Sequence, residues 1–329
     1  MTTNLKSVTI LIPGGMHERS VARIGDTFTM LRTKSIDANK LSTSEREAVR
    51  GIAVSPAIAG GRVAGDYLEA FPNLEIVANF GVGYDGVDAA YAGQHNIMVT
   101  NTPDVLTEEV ADTAVGLLLN TVRELSRAEA YLRQGFWATK GNFQLSRASL
   151  QGRSVGIFGM GRIGQAIARR LEAFGLPIAY HNRRKVEGLA YDHYPTLIGL
   201  AEAVDTLISV APGGASTANA VNAEVLSALG PDGVFVNIGR GSVVDEAALA
   251  TALKEGTILA AGLDVFADEP NVPQALMDAP NATLLPHVGS ASVRTRNAMA
   301  DLVVDNLISW FDEGKALTAV PETAGVQPK

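Results

Sequence analysis

Four polar side chains lie at or after the ends of predicted strands in the C-terminal half of the chain, and their types suit proton transfer and anion binding. Arg240 lies in NIGRGSVVDE, Asp264 and Glu269 lie in LDVFADEP, and His287 lies in LLPHVGS. The carboxyl ends of strands in a doubly wound parallel sheet face one ligand crevice, so we expect these groups to lie close together. An imidazole can exchange a proton near neutral pH, and a guanidinium can hold a carboxylate. Each residue alone is more often structural or a surface charge, but the set predicts a catalytic site.

A glycine-rich loop upstream has the spacing that binds the pyrophosphate of a dinucleotide. In SVGIFGMGRIGQ, Gly159, Gly161 and Gly164 lie between a predicted strand and a predicted helix. The first glycine allows a tight turn, the second lets the backbone approach phosphate, and the third lets helix and strand pack closely. The alternative is an ordinary glycine-rich turn. We expect the loop, including Arg162 and Ile163, to bind a dinucleotide at the N-terminus of the helix.

The end of the next predicted strand, IAYHNRRK, indicates which dinucleotide is preferred. Enzymes that use NAD carry an acidic residue at about this position, where it accepts a hydrogen bond from the ribose 2′-hydroxyl. Here Asn182 stands in that place, and Arg183, Arg184 and Lys185 follow. Guanidinium groups can bind a 2′-phosphate, which a carboxylate would repel. The sequence therefore favours NADPH over NADH, against the alternative of three solvated surface cations.

These segments belong to a chain in which short apolar runs alternate with helical patterns, as in parallel sheets with crossover helices. Strands are predicted at residues 8–12, 51–54, 76–79, 97–100, 154–158, 178–181, 206–209, 234–237, 261–264 and 282–285. One long helix is predicted at 103–134 and a last helix at 292–312, each followed by a glycine. We expect a nucleotide-binding domain at 102–287 and a second domain formed by 1–101 and 288–329.

Composition narrows the class of protein. The 329 residues are 47% hydrophobic and 19% charged, which is typical of a globular chain. The net charge of −8 comes without a long basic run, so we expect no nucleic-acid partner. With no cysteine, the chain has neither a disulfide nor a thiolate metal site, and no metal is expected. Since no signal peptide or membrane span is evident, we expect a cytoplasmic protein without a membrane partner.

The order and spacing of these segments resemble the D-isomer-specific 2-hydroxyacid dehydrogenase family. The resemblance runs from NFGVGYDGVD, near residue 80, to the last helix, and HNRRK and FWATKG resemble its glyoxylate/hydroxypyruvate reductase branch. It implies an α/β fold with two doubly wound parallel-sheet domains, a Rossmann nucleotide-binding domain and a flavodoxin-like substrate domain. The reaction is expected in a cleft between them.

The same resemblance implies a role for each polar group. His287 would donate a proton to the carbonyl oxygen of a 2-oxoacid while lying against both substrate and cofactor. Glu269 would pair with its other ring nitrogen and favour the imidazolium form. Arg240 would hold the substrate carboxylate and polarise the carbonyl. Asp264 would bind the nicotinamide carboxamide, although a role as a turn cap is equally open.

Further contacts follow from the resemblance. The expected cofactor contacts outside the glycine loop and the basic segment are Thr113 and Ile238 at the nicotinamide, Pro212 and Thr217 at the adenosine, and Gly289. The expected substrate contacts are Val54, the backbone N–H groups of Val82 and Gly83, and Trp137. The segment GIAVSPAIAGG departs from the small-residue loop expected near Val54, so side-chain specificity stays open. Trp137 would reach the active site of a partner subunit in a homodimer, or pack within its own chain.

The sequence therefore predicts an NADPH-preferring 2-oxoacid reductase of the glyoxylate/hydroxypyruvate type, using NADH more weakly and forming a D-2-hydroxyacid. One alternative is another D-2-hydroxyacid dehydrogenase, such as one specific for phosphoglycerate or for aromatic 2-oxoacids. The other is a non-catalytic dinucleotide-sensing scaffold that keeps the fold.

Overall fold

The computed structural model describes residues 4–56 and 61–329. The chain divides into two compact units, the first formed by 1–106 and 292–329 and the second by 107–291. The boundaries expected from the sequence, after residues 101 and 287, lie a few residues earlier. Part of the segment that follows Val54, residues 57–60, lies outside the described residues.

Twelve strands and thirteen α-helices are described in this part of the chain. The strands are β1 (Thr9–Pro13), β2 (Thr29–Thr33), β3 (Val49–Val54), β4 (Ile76–Asn79), β5 (Met98–Thr100), β6 (Val155–Phe158), β7 (Ile178–His181), β8 (Asp192–Tyr194), β9 (Thr206–Ser209), β10 (Val234–Asn237), β11 (Ala260–Leu263) and β12 (Ala282–Leu284). The helices are α1 (Glu18–Thr27), α2 (Thr43–Ala48), α3 (Gly65–Glu69), α4 (Ala89–Gln94), α5 (Thr107–Arg123), α6 (Leu125–Arg133), α7 (Phe136–Lys140), α8 (Arg162–Glu172), α9 (Leu197–Ala203), α10 (Ala223–Leu229), α11 (Glu246–Glu255), α12 (Gln274–Met277) and α13 (Val293–Glu313).

The first unit is built on a five-stranded sheet with the order β2-β1-β3-β4-β5, and all of its strand pairs are parallel. This is the flavodoxin-like order of a doubly wound sheet. Strand β2 was not predicted, because it lies at the sheet edge and its residues are exposed or half-buried. Without a buried apolar run, an edge strand leaves little signal in the sequence.

The second unit is built on a seven-stranded parallel sheet with the order β12-β11-β10-β9-β6-β7-β8. The strand order reverses between β6 and β9, as it does between the two halves of a Rossmann fold, and ligands bind at the carboxyl ends of strands near such a reversal. The prediction of two doubly wound parallel-sheet domains is confirmed. Strand β8, at the other edge of the sheet, was missed for the same reason as β2.

Buried apolar strands at the centre of each sheet form the cores. In β10, for example, Val234, Phe235 and Val236 have no exposed surface. Full burial of such a side chain stabilises the fold by about 1.5–3 kcal/mol relative to exposure. Because these strands are covered on both faces, they read in the sequence as continuous apolar runs, and all of them were predicted.

The prediction of a single long helix at 103–134 is wrong. The chain is helical only from Thr107, and it breaks at Glu124, whose φ of 53° is left-handed. The Asn120 side chain holds the break, since its Oδ1 accepts a hydrogen bond from Ser126 N at 2.9 Å and its Nδ2 donates to Ser126 Oγ at 2.7 Å. An asparagine that bonds nearby backbone in this way competes with the helical pattern.

The last helix, α13, begins and ends within one residue of the prediction. Its N-cap is Ser292, which accepts a hydrogen bond from Thr295 N, and Gly314 ends it with a φ of 71°. Over residues 4–56 and 61–329, none of the helices combines the length with the apolar character that a membrane span would need.

Candidate active site

The glycine loop of the second unit follows β6 and leads into α8. Gly159 has a φ of 105°, and a Cβ there would lie 2.8 Å from Ala211 N. A Cβ on Gly164 would lie 2.3 Å from Gly159 O, so α8 can pack this closely against the loop only because residue 164 is glycine. Both positions therefore require glycine for the reasons that the spacing predicted.

Gly161 differs from the other two glycines because the space in front of it is open. It is the N-cap of α8 without a side-chain hydrogen bond to the helix, and a Cβ on it would meet no atom within 4 Å. Arg162 and Ile163 start the helix, and Arg162 is exposed. The first N–H groups of α8 thus point toward open space at the positive end of the helix dipole. These residues fit a dinucleotide pyrophosphate.

Asn182 follows β7 directly and lies beside this loop, where an acidic residue would bind a ribose 2′-hydroxyl. Its Oδ1 accepts a hydrogen bond from Met160 N at 2.7 Å, which ties it to the glycine loop. Arg183, Arg184 and Lys185 follow and are all exposed. No hydrogen bond or ion pair joins these three cations to the described residues, so their charges are available to an anion.

His287 and Glu269 form the central pair of the site. His287 Nδ1 lies 2.6 Å from Glu269 Oε2, and the other carboxylate oxygen accepts a hydrogen bond from Phe266 N at 3.0 Å. Burial raises the pKa of Glu269, but the hydrogen bonds from His287 and Phe266 and the charges of His287 and Arg240 bring it below its usual value. Glu269 is therefore held as a carboxylate. Because Nδ1 is engaged, Nε2 is the ring nitrogen left for proton transfer.

Asp264, directly after β11, holds the backbone of the turn that carries His287. Its Oδ1 accepts from Val288 N at 2.7 Å and its Oδ2 accepts from Gly289 N at 2.8 Å. His287 N donates to Asp264 O at 2.8 Å, and His287 has a left-handed φ of 53°. The side chain is 1% exposed, and burial raises its pKa despite the two N–H bonds. Asp264 thus holds a strained turn that presents the imidazole.

Arg240 lies on a loop after β10 that packs directly on the loop of Glu269. A Cβ on Gly241 would lie 1.8 Å from Phe266 C, so the two backbones are in contact. Asn237 Nδ2 donates to Arg240 O at 2.9 Å, and Arg240 Nη1 donates to Gly239 O at 2.8 Å. The charge of Arg240 also lowers the pKa of Glu269, as expected of close neighbours. The structure therefore brings Arg240, Glu269 and His287 together.

Three of the predicted cofactor contacts, Thr113, Ile238 and Gly289, surround the same turn. Thr113 Oγ1 donates to Gly289 O at 3.2 Å. A Cβ on Gly289 would lie 3.5 Å from Ile238 Cδ1 and 3.0 Å from Asp264 Oδ2. Thr113, Ile238 and Gly289 thus line one small region next to His287, as a ring-binding surface would require.

The other predicted residues of the second unit lie in two places. Pro212 and Thr217 lie in the loop that follows β9, the strand that pairs with β6. Thr217 Oγ1 donates a hydrogen bond to Pro212 O at 2.6 Å and so closes that loop. Trp137 lies on α7, is 62% exposed and donates from Nε1 to Asn142 Oδ1 at 3.3 Å. Its ring is therefore not packed in the core of its own chain.

In the first unit, Val82 and Gly83 form a turn after β4 in which the carbonyl groups are all tied back. Asn79 Nδ2 donates to Gly81 O and to Gly83 O, both at 3.1 Å, and Asn101 Nδ2 donates to Val82 O at 2.8 Å. The N–H groups of Val82 and Gly83 make no hydrogen bond to the described residues. Two adjacent free N–H groups can bind a carboxylate.

Val54 occupies a different setting from the one expected of a substrate contact. It ends β3, its side chain has no exposed surface, and its carbonyl accepts a hydrogen bond from Phe80 N at 2.8 Å. Because the side chain of Val54 is buried in the core, the structure does not favour a contact between it and a substrate. The substrate contact of Val54 stays a prediction.

The sequence reasoning missed residues that support the site. Glu246 Oε1 accepts from Ala267 N at 2.8 Å and so fixes the loop before Glu269, and burial raises its pKa. Asn79 and Asn101 orient the turn of the first unit. Asn79 ends β4, Asn101 follows β5 directly, and Glu246 begins α11 after the loop that follows β10. The rule that found Arg240 and Asp264 at strand ends could therefore have found them. In the described residues, no group of three or more possible metal ligands is present.

Comparison with known proteins agrees with this geometry. The model of the D-isomer specific 2-hydroxyacid dehydrogenase NAD-binding domain matches residues 115–289. Glyoxylate/hydroxypyruvate reductase A of Arabidopsis thaliana is 44% identical over 96% of this chain and 100% of its own. 2-ketogluconate reductase of Gluconobacter oxydans is 44% identical over 91% and 94%.

A solved structure is similar over nearly the whole chain. It is the NADPH-dependent glyoxylate/hydroxypyruvate reductase of Sinorhizobium meliloti in complex with NADP and malonate, which is 60% identical with a TM-score of 0.94. The match covers 98% of this chain and 99% of that one. With the family model, the relatives and the site geometry in agreement, this chain belongs to the D-isomer-specific 2-hydroxyacid dehydrogenase family.

Proposed function

We propose that the protein is an NADPH-preferring reductase that converts glyoxylate to glycolate, and hydroxypyruvate and related 2-oxoacids to D-2-hydroxyacids. The observation that carries this proposal is the 2.6 Å contact of His287 Nδ1 with Glu269 Oε2, beside Arg240 and in a unit whose glycine loop fits a dinucleotide. Relatives from Arabidopsis thaliana and Sinorhizobium meliloti with this activity in their names support the substrate class.

The chemistry divides among the side chains as their positions suggest. NADPH, when bound, supplies the hydride that the carbonyl carbon accepts. His287 Nε2 gives a proton to the carbonyl oxygen, while Glu269 stays ionised and stabilises the imidazolium form. Arg240 holds the substrate carboxylate through paired hydrogen bonds. The free N–H groups of Val82 and Gly83 offer a second way to bind a carboxylate.

An assay of NADPH oxidation with several 2-oxoacids tests the proposal. We expect turnover with glyoxylate and hydroxypyruvate to exceed that with pyruvate and phenylpyruvate. 2-Ketogluconate belongs in the panel because a 44% identical relative is a 2-ketogluconate reductase. A preference for phenylpyruvate would favour the aromatic-specific alternative. NADPH binding without turnover on any substrate would favour the sensing scaffold.

The preference for NADPH rests on the charges after β7. Asn182 has no negative charge to repel a 2′-phosphate, and its Oδ1 is already engaged by Met160 N. Arg183 and Arg184 are exposed without a carboxylate partner in the described residues. A guanidinium without an internal partner does not have to give up an ion pair to bind phosphate.

Replacing Arg184 by alanine is expected to weaken NADPH binding by about 10- to 100-fold, since a charge-assisted hydrogen bond contributes about 1.5–3 kcal/mol. NADH binding should barely change, because NADH lacks the 2′-phosphate. Arg183→Ala should act in the same direction. Fluorescence titration of both cofactors measures the effect.

Arg169→Ala provides a matched control for that titration. Arg169 is an exposed arginine of the same unit that pairs with Glu108 at 3.0 Å, away from the end of β7. It should leave the affinity for both cofactors unchanged. Equal losses of NADPH and NADH affinity in Arg184→Ala would contradict the assignment of a 2′-phosphate site.

We also propose a homodimer formed through the arm, which we define as residues 125–150. Leu125, Leu132, Trp137 and Leu145 of the arm are 51%, 55%, 62% and 92% exposed. Several large apolar side chains exposed along one segment indicate an interaction surface.

Sedimentation should give twice the chain mass of 34.5 kDa. Leu132→Glu with Leu145→Glu should shift it to monomer, whereas Phe174→Glu, outside the arm, should not; a monomeric parent protein contradicts the proposal.

A further inference from the structure

The segment that carries the cationic side chains is held at both of its ends. We define the basic turn as residues 182–186, which follow β7. At its C-terminal end, Val186 N donates to the hydroxyl of Tyr180 at 2.9 Å, and Tyr180 has no exposed surface. At its N-terminal end, Asn182 Oδ1 accepts from Met160 N. The exposed guanidinium groups therefore project from a backbone that is itself fixed.

A further contact to the basic turn comes from the edge strand β8. His193 Nε2 lies 3.1 Å from the backbone oxygen of Asn182. Since a carbonyl oxygen can only accept, Nε2 carries the hydrogen in this contact. The imidazole ring lies 5.1 Å from the Tyr180 ring, and His193 is the register partner of Tyr180 in the sheet. His193 thus contacts both Asn182 and Tyr180, the residues through which the two ends of the basic turn are held.

The edge strand is itself anchored by a reciprocal contact. His181 Nδ1, on β7, lies 2.8 Å from the backbone oxygen of Tyr194 on β8. The imidazole of His181 on β7 therefore contacts a carbonyl of β8, and the imidazole of His193 on β8 contacts the carbonyl of Asn182, the residue after β7. This pairing keeps His193 in place although β8 is only three residues long and lies at the sheet edge.

We propose that His193 is a positioning residue that sets the preference for NADPH. By fixing the carbonyl of Asn182, it fixes the direction in which Arg183 and Arg184 leave the backbone. Ordering a flexible segment on binding costs free energy, and a turn that is already ordered avoids part of that cost. NADH has no 2′-phosphate and so gains nothing from the ordered turn. This inference rests on the proposed cofactor preference.

Two substitutions separate positioning from general stability. His193→Phe keeps an aromatic ring against Tyr180 but removes the donor to Asn182. His193→Gln supplies an amide N–H at a similar reach. For His193→Phe we expect kcat/KM with NADPH to fall about 3- to 10-fold, as for loss of one hydrogen bond, while kcat/KM with NADH is unchanged. His193→Gln should restore most of the NADPH value.

A binding measurement without turnover provides the second readout. Calorimetry with adenosine 2′,5′-bisphosphate and with 5′-AMP reports on the 2′-phosphate alone. His193→Phe should weaken only the bisphosphate, again by about 3- to 10-fold. Equal losses for both nucleotides, or no loss for either, would overturn the positioning role.

The parent protein distinguishes this failure from failure of the proposed function. If the parent shows no preference between NADPH and NADH, the proposed cofactor preference is wrong and His193 has nothing to position. If the parent prefers NADPH and His193→Phe keeps the full preference, only the role of His193 is wrong. Melting temperatures of both variants show whether the fold is intact.

Discussion

Replacing His287 by alanine is expected to lower kcat for NADPH-dependent reduction of hydroxypyruvate by about 10²–10⁴-fold, the usual contribution of a general acid. The imidazole is the group whose Nε2 is free while Nδ1 is held by Glu269 at 2.6 Å. Alanine leaves the carbonyl oxygen without a proton donor, so charge would build up on it in the transition state. Steady-state kinetics measure the loss. Affinity for NADPH should remain close to that of the parent protein, because the glycine loop is untouched.

His95→Ala is the matched control, since His95 is an exposed histidine of the first unit that stacks on Tyr91. It should keep the parental kcat. A His287→Ala variant that reduced hydroxypyruvate at the parental rate would show that another group donates the proton.

Glu269→Gln provides a companion to these two variants. Glutamine can still accept a hydrogen bond from Nδ1 but carries no charge. Because the carboxylate, with its pKa held below the usual value, favours the imidazolium, its loss should make the fall in kcat/KM with rising pH begin at lower pH. An unchanged pH profile would mean that the carboxylate acts through geometry alone.

Arg240→Ala is the second large effect expected, with kcat/KM for hydroxypyruvate reduced by about 10²–10⁴-fold. Two charge-assisted hydrogen bonds to a carboxylate contribute about 1.5–3 kcal/mol each, and the sum corresponds to that range. Arg240→Lys keeps the charge but loses the planar pair of donors, so its loss should be intermediate. The measurement is kcat/KM for 2-oxoacid at saturating NADPH.

The affinity for NADPH separates a substrate role of Arg240 from a structural one. Arg240 lies on a loop that contacts the Glu269 loop, since a Cβ on Gly241 would overlap Phe266. If removal of the guanidinium disturbed that packing, cofactor binding and melting temperature would fall as well. We expect both to be retained, with Arg169→Ala again as the control. A parental kcat/KM in Arg240→Ala would mean that another cation holds the carboxylate.

The buried strands and the residues that follow them could be predicted because their signals are local. Val234, Phe235 and Val236 form an apolar run that only a strand covered on both faces would carry. Polar residues that closely follow such runs, such as Arg240 and Asp264, lie at the carboxyl ends of the strands, where ligands bind. The glycine spacing identified the phosphate loop in the same way, from the steric needs of the backbone at Gly159 and Gly164.

The features that the sequence did not reveal depend on contacts between distant segments. Strands β2 and β8 lie at sheet edges and carry no apolar run, so only their neighbours make them strands. The helix break at Glu124 depends on the Asn120 side chain bonding to Ser126, which competes with an otherwise helical pattern. Val54, expected from the resemblance as a substrate contact, lies in the core of its unit because its strand is central in the sheet.

By itself, the sequence determined the parallel α/β class, the dinucleotide loop, the cationic segment after β7, and the presence of an imidazole, a carboxylate and a guanidinium at strand ends. Each of these features follows from residue types and their spacing within a short stretch of sequence. Only the tertiary structure decided that Glu269 binds Nδ1 of His287, that Asp264 holds the turn beneath it, and that His193 reaches Asn182. Those contacts join residues 11 to 25 positions apart, and their geometry comes from strand register and loop packing, which no local pattern specifies.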